Sequence, residues 1–160
     1  MIELLILYIL SKKNLNLYQI SQTIKNQFGY LFTGSFGSIH PVLKKLLNEG
    51  YISTKKTISK GGKTCSTYKI TPRGKIYFEE EIQNTEKNTK KTIEVKLACI
   101  DICKGSTKNN VIEDAEIFYK NQIIMLNNLL KTNIQNIIQQ KQIENLINYY
   151  ETRINSLKNN

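Results

Sequence analysis

GSIHPVLKKLLNEGYI, residues 37 to 52, decides the fold of this 160-residue chain. Ile39, Val42, Leu43, Leu46 and Leu47 recur at i, i+3, i+4, i+7 and i+8, the spacing that gathers apolar side chains on one face of a helix. That face is expected to point inward. Ser38, His40, Lys44, Lys45 and Asn48 fall on the other side, and these short polar groups and cations suit base edges and phosphates. Gly50 is placed to stop the helix, and Tyr51 onward has strand character.

Two helices precede this one. Residues 2 to 11 are apolar on nearly every side (Ile2, Leu4, Leu5, Ile6, Leu7, Ile9, Leu10), so a helix there must be covered all round. The sequence predicts that a small domain covers one side and a second subunit the other, which puts Leu4 and Leu7 at a dimer interface. Asn14 to Asn16 make a turn. Leu17, Ile20, Ile24 and Phe28 mark the second helix, with Gly29 at its end and Ser35 available to cap the third. After the third helix, Tyr51 to Ile58 and Thr64 to Thr71 read as two strands joined by SKGGK, Ser59 to Lys63, whose glycine pair permits a tight hairpin turn. Ile52, Ile58, Tyr68 and Ile70 share one face of this hairpin, while Lys55, Lys56, Lys60, Lys63 and Lys69 make the rest cationic. Three helices followed by a basic hairpin define a winged helix-turn-helix, with the third helix in the major groove of double-stranded DNA and the wing along the backbone.

Charge agrees with that order of elements. The formal net charge is +10; residues 1 to 80 hold 12 Lys or Arg against 4 Asp or Glu, and residues 81 to 160 hold 11 against 9. The basic half contains the proposed reading helix, which points to a polyanion partner. A membrane is a poor candidate, because no apolar run approaches the roughly 18 residues needed to span one. MIELLILYIL lacks the features of a secretory signal, and three cysteines suit reduced thiols, so a cytoplasmic protein is expected.

Thr71-Pro72 starts a fourth helix, a capping threonine before proline at the first helical position. The helical pattern runs to about Lys104 with a break in QNTEKNTKK, Gln83 to Lys91, and Gly105 and Ser106 then open a loop. This polar break sets the domain boundary: residues 1–82 form the DNA-binding domain, and 83–160 a helical dimerisation and effector domain. Ile143, Ile147, Tyr150, Ile154 and Leu157 alternate spacings of four and three, a coiled-coil seam. The same frame runs back through Leu129, Leu126, Tyr119, Ala115 and Ile112, but between them it meets Asn133, Asn136 and Gln140. Two helices, folding back or offset near Asn133 to Lys141, are therefore expected to serve dimerisation, with Tyr119, Leu126 and the later seam at the interface.

The chain resembles the PadR family of bacterial transcriptional regulators. ELLILYIL followed by LYQI, the motif GSIHPVLKKLLNEGYI with Pro41 inside the helix, and the wing exit YKITPRGK carry the resemblance. EVKLACIDI and the two helices after it resemble the longer subgroup with a helical C-terminal half. Two departures are His40, where the family usually has tyrosine, and Leu17, where it usually has glycine before the tyrosine corresponding to Tyr18. The resemblance implies a homodimeric repressor released by a small molecule or a stress signal.

Tyr18 and Gln19 near the start of the second helix are candidates for backbone contact. Together with Ser35, Ser38, His40, Lys44, Lys45, Lys60 and Lys63 they make the expected DNA-binding set. Each has a plain reading as a solvated surface residue. With one histidine, no His-based metal cluster or His-led catalytic set can be assembled, and no cofactor is expected. Neither paired acids in a plausible site nor a phosphate-cradling glycine loop suggests an enzyme. Cys99 and Cys103 read as two small hydrophobes on one helical face, with a thiol-based sensor as the alternative, and Cys65 lies in the wing near lysines. The other alternative is a helical interaction module whose winged domain docks protein.

Overall fold

The computed structural model describes residues 1–58, 64–86, 88–132 and 136–158. They form two compact units, Met1–Thr107 and Lys108–Asn160. In chain order the first unit runs α1 (Ile2–Lys12), β1 (Leu15–Asn16), α2 (Leu17–Phe28), α3 (Phe36–Asn48), β2 (Ile52–Ile58), β3 (Thr64–Ile70), α4 (Pro72–Gln83), α5 (Lys90–Ala98) and a 3-10 turn at Ile100–Ile102. Then come α6 (Gly105–Leu130) and α7 (Ile137–Lys158).

α1 is the centre of the first unit. All seven residues from Leu4 to Leu10 are buried, and α2, α3, α4, α5 and β3 all pack on them. This corrects the expectation for Leu4 and Leu7, which are 7% and 0% exposed within the single chain. No side of α1 is left for a second subunit, because α5, assigned from sequence to the other domain, folds back over it. At the C-terminal end of α1, Lys12 Nζ donates to Asp101 Oδ2 (2.5 Å) and to Tyr8 Oη (2.6 Å), which ties α1 to the 3-10 turn.

The sheet has three strands in the order β1-β3-β2, all antiparallel. The wing strands pair Ile52 with Ile70 and Thr54 with Tyr68, so these residues share one face, buried at Ile52 and Ile70. Ile58 has the same parity but is 78% exposed, since it lies beyond the reach of the helices. β1 adds Leu15 and Asn16 opposite Tyr68 and Thr67 where the sequence suggested only a turn. The glycine-rich wing tip and its Lys60 and Lys63 lie outside the described residues.

Local sequence explains the helix ends. Asn16 and Gln19 form a reciprocal capping box at the start of α2. Gly50, at φ 74°, turns the chain out of α3 in a conformation that favours glycine. Gly74 answers a different demand: a Cβ there would lie 2.0 Å from the Tyr51 carbonyl oxygen. The start of α4 is drawn onto that carbonyl by Thr71, whose N–H donates to it (3.0 Å) and whose Oγ1 donates to it and to the Gly50 oxygen (3.1 and 2.8 Å). Thr71 Oγ1 also accepts the Gly74 N–H, the expected helix cap.

Two further expectations need correction. Gly105 and Ser106 begin α6 instead of opening a loop. α5 ends at Ala98 and Cys103 follows the 3-10 turn, so Cys99 and Cys103 do not share one helix. Cys99 is fully buried and Cys103 nearly so.

In the second unit most of the seam is buried within one chain, Leu129 being the exposed exception. Tyr119 and Leu126 on α6, and Ile143, Ile147, Tyr150 and Ile154 on α7, are all less than a tenth exposed, and Leu157 is half-buried. The Tyr119 and Tyr150 rings lie 5.6 Å apart, and Arg153 Nε donates to Tyr119 Oη (3.4 Å). A hairpin that folds back brings its own two halves of the seam together, where the sequence reading gave that seam to a second copy. What α6 and α7 leave more than a third exposed includes Ile117, Ile124, Met125, Ile137, Ile138 and Leu146.

Gly74→Ala is expected to destabilise the protein by on the order of 2–3 kcal/mol in urea unfolding, because the new methyl meets unyielding backbone. Gly37→Ala, with nothing within 4 Å of its Cβ, should cost nothing. The Lys12–Asp101 link predicts a pH dependence. Burial pushes the Asp101 carboxyl up, but hydrogen bonds to Lys12 and Tyr8 and the lysine charge outweigh it and hold it below the ordinary value. Its hydrogen bond to Asp101 raises the Lys12 ammonium. A lowered acid stabilises above its unfolded value, and a raised base below its own. The link therefore operates between about pH 4 and pH 10. Both groups are about half exposed, so Asp101→Asn should cost at most about 1 kcal/mol at pH 7. The gap to the parent should close as urea titrations are taken below about pH 4.

Candidate nucleic-acid interface

α3 buries Ile39, Leu43 and Leu46 and half-buries Val42 and Leu47, so its apolar stripe faces the core as the spacing predicts. Successive residues turn by about 100°. The line most opposed to the core is therefore Gly37, Pro41, Lys44 and Asn48, all exposed, with Ser38 and Lys45 on one flank and His40 on the other. Gly37 and Pro41 were not among the sequence candidates, although the same angular count places them there. Pro41 has no N–H, so the Gly37 carbonyl lacks its ordinary helical partner on that outer face.

The remaining candidates divide by what already holds them. Ser35 caps α3: its Oγ accepts the Ser38 N–H (3.4 Å) and lies 2.9 Å from Ser38 Oγ, which reaches back to the Ser35 carbonyl oxygen (2.9 Å). Both serines are exposed at the positive end of the helix dipole, where an anion is favoured. Gln19 is engaged in the capping box, its Oε1 accepting the Asn16 N–H (3.0 Å), while Tyr18 beside it is 61% exposed. His40 and Lys44 are exposed. Lys45 donates to Glu3 Oε1 on α1 (2.8 Å), and that hydrogen bond raises its ammonium pKa.

Glu3 was not singled out from sequence because its partners lie far along the chain. Its other oxygen, Oε2, accepts from Tyr77 Oη on α4 (3.2 Å). Tyr77 stacks on Tyr51 at the foot of the wing, with ring centroids 4.0 Å apart and planes 5° apart, and the Arg73 guanidinium lies 5.3 Å from the Tyr51 ring. Burial first, then the charges of Glu81 and Glu3, push the Tyr77 hydroxyl pKa up, so it stays a neutral donor. Lys91 on α5 lies 4.3 Å from the Phe32 ring in the turn before α3. On the wing, Lys55, Lys56 and Lys69 are exposed.

Burial pushes both the Cys99 and Cys103 thiols up, away from the reactive thiolate. Among the described residues no group of three or more His, Cys, Asp or Glu could hold a metal ion, and no helix is long and apolar enough to cross a membrane.

A helix, a turn, an exposed second helix and a basic hairpin make the winged helix-turn-helix of DNA-binding proteins. Residues 6–80 match the Transcriptional regulator PadR-like family, and the domain they form belongs to it. That family is one of transcriptional regulators. Among solved structures, Bacillus subtilis PadR in complex with operator DNA is similar at 19% identity over 99% of this chain and 96% of that one, with a TM-score of 0.50, which supports the fold. The protein smu.1604c from Streptococcus mutans UA159 matches at 24% identity over 98% and 96% (TM-score 0.49). A PadR family transcription regulator from hypervirulent Clostridium difficile R20291 matches at 27% over 51% and 83% (TM-score 0.45). No curated protein matches the chain.

Ser35→Ala should cost about 1 kcal/mol in thermal or urea unfolding through loss of the α3 cap, and Ser35→Asp should restore it.

Proposed function

We propose that this chain is a cytoplasmic homodimeric repressor that reads its operator with α3 and grips the backbone with the wing. Residues 1–82 bind DNA, and within 83–160 the helices α6 and α7 dimerise and carry the response to a small-molecule or stress signal. The outer face of α3 carries the reading: Ser38, His40 and Lys44 stand exposed on a helix whose opposite face is fixed in the core. In a dimer, two such helices enter successive major grooves, with half-sites about one helical turn, roughly 34 to 36 Å, apart. Ser35, at the helix start, and Tyr18, at the start of α2, contact the backbone. Lys45 reaches phosphate only on leaving Glu3, and Gln19 only on leaving its cap. The apolar residues that α6 and α7 leave exposed, Ile124 and Ile138 among them, supply the contact between copies that α1 does not.

The test is fluorescence anisotropy on a labelled duplex from the region upstream of the protein's own gene, against a scrambled duplex, at two salt concentrations. Tight, sequence-dependent binding that saturates at one dimer per site is expected. Equal weak binding to both duplexes would favour a protein-docking module. Lys55→Ala with Lys56→Ala should weaken binding to every sequence and reduce the salt slope by about 2, as should Lys60→Ala with Lys63→Ala. His40→Ala or Ser38→Ala should leave the slope alone and narrow the gap between operator and scrambled DNA by about tenfold. In sedimentation velocity, Ile124→Asp with Ile138→Asp should shift the protein toward monomer without unfolding it.

A further inference from the structure

The first turn of α3 leaves a large apolar side chain outside. Phe36, the residue with which the helix begins, is 49% exposed, and among the described residues no ring contact engages it. Single exposed apolar side chains are ordinary on a protein surface, so exposure alone assigns nothing. Position is more specific. In a helix-turn-helix the N-terminal residues of the second helix are the ones that reach base edges, and Phe36 stands at that end. His40 lies one turn further along the same flank. On the outermost line, Gly37 and Pro41 are exposed as well, and neither carries a polar side chain.

The hydroxyls of this turn are directed at one another. Ser38 Oγ donates to the Ser35 carbonyl oxygen (2.9 Å) and lies 2.9 Å from Ser35 Oγ. These contacts fix the turn, and with it the direction in which the Phe36 side chain leaves the backbone. A Cβ at Gly37 would meet nothing within 4 Å, so the helix presents open backbone there and the wall of a groove can approach closely. The outward surface of α3 thus divides along its length. Phe36, Gly37 and Pro41 make its start apolar, flanked by Ser38 and His40. Lys44, Lys45 and Asn48, the side chain types able to read guanine or adenine through paired hydrogen bonds, all lie beyond Pro41.

The major groove offers one apolar group for such a surface, the 5-methyl of thymine. We propose that Phe36 is a specificity-determining residue that packs on this methyl, so that each half-site carries a thymine opposite the start of α3. The contact rests on the reading of α3 as the DNA-reading helix, and it sets the base chosen there. Cytosine has only hydrogen in place of the methyl, and the purines turn a nitrogen acceptor toward the groove, so both leave the ring against a poorer partner.

The test uses the full chain and duplexes that it selects from a random pool. Each thymidine of a selected duplex is replaced in turn by deoxyuridine, which removes the methyl and keeps every base-pairing hydrogen bond, and affinity is read by fluorescence anisotropy. In each half-site a position is expected at which deoxyuridine weakens binding about fourfold, the effect of losing one buried methyl group. Phe36→Ala should bind the parent duplex at least as weakly and should no longer distinguish thymidine from deoxyuridine at that position. Phe36→Leu, which keeps an apolar side chain, should retain most of the distinction. The salt slope should be unchanged in both variants, since no phosphate contact is lost. The deoxyuridine series on the parent protein depends on no variant folding, and an unchanged urea midpoint checks Phe36→Ala. A parent protein indifferent to deoxyuridine at every position overturns the contact while its selected sequence leaves the reading of α3 standing. A methyl effect that persists undiminished in Phe36→Ala also overturns it. Failure to enrich any sequence from the pool overturns the reading of α3, and this contact with it.

Discussion

The constraint on which the first unit depends is the complete burial of one short helix. Leu4 to Leu10 have no polar side chain except the Tyr8 hydroxyl, so the helix they form is stable only where neighbours close over every face. Each fully buried leucine or isoleucine contributes roughly 1.5–3 kcal/mol, which makes α1 a large local source of stability. Five elements are drawn onto it, including α3, the inner wing strand and the helix leaving the wing. Such a helix can carry charge only at its ends. Glu3 and Lys12 stand there, and each reaches outward, Glu3 to α3 and α4, Lys12 to the 3-10 turn. The apolar middle holds the elements together, and the charged ends set how they are turned.

The wing is positioned by a second device. Thr71 and Gly74 bring the start of α4 against the Tyr51 carbonyl, and the stacked rings of Tyr51 and Tyr77 repeat that contact through side chains. α3, the foot of the wing and α4 thus meet around Tyr51, with Gly50 making the turn between the first two. The proposed reading of a groove by α3 and of the backbone by the hairpin needs those two surfaces in fixed relation. Here the relation is set by backbone hydrogen bonds and a ring stack, which leaves the outer face of α3 free of structural duty beyond its cap.

Much of this was legible in sequence because it is periodic or local. The inward stripe of α3, the strand pairing around the glycine pair, and Thr71-Pro72 as a helix start each follow from residues within one element. The contacts of Glu3 lie 42 and 74 residues away, and nothing at Glu3 itself signals them. The coverage of α1 was misread for a related reason. The polar break at Gln83 to Lys91 looks like a domain boundary, yet it is a short connection pinned by Lys96, after which α5 returns to α1. The seam residues of α6 and α7 are buried within the single chain, since a heptad pattern specifies an apolar contact and not whether the facing helix belongs to the same chain. The capping box is visible as Asn16 and Gln19 three apart, although the sequence reading takes Gln19 as a candidate contact to the DNA backbone.

The pairing of Lys45 with Glu3 changes how affinity and selectivity divide in the proposed complex. If both lysines of α3 met phosphate, the helix would add two sequence-independent contacts and dilute its own discrimination. With Lys45 held back, the outer face presents one lysine, two capping serines, a histidine and the bare backbone around Gly37 and Pro41. Short polar groups on a helix rigidly backed by Ile39, Leu43 and Leu46 favour contacts to base edges over long-range attraction. Attraction then falls to the wing, where Lys55, Lys56 and Lys69 sit on exposed strand positions. Grip and reading are thus assigned to different elements, and the carboxylate that keeps them apart belongs to the buried helix that both are built upon.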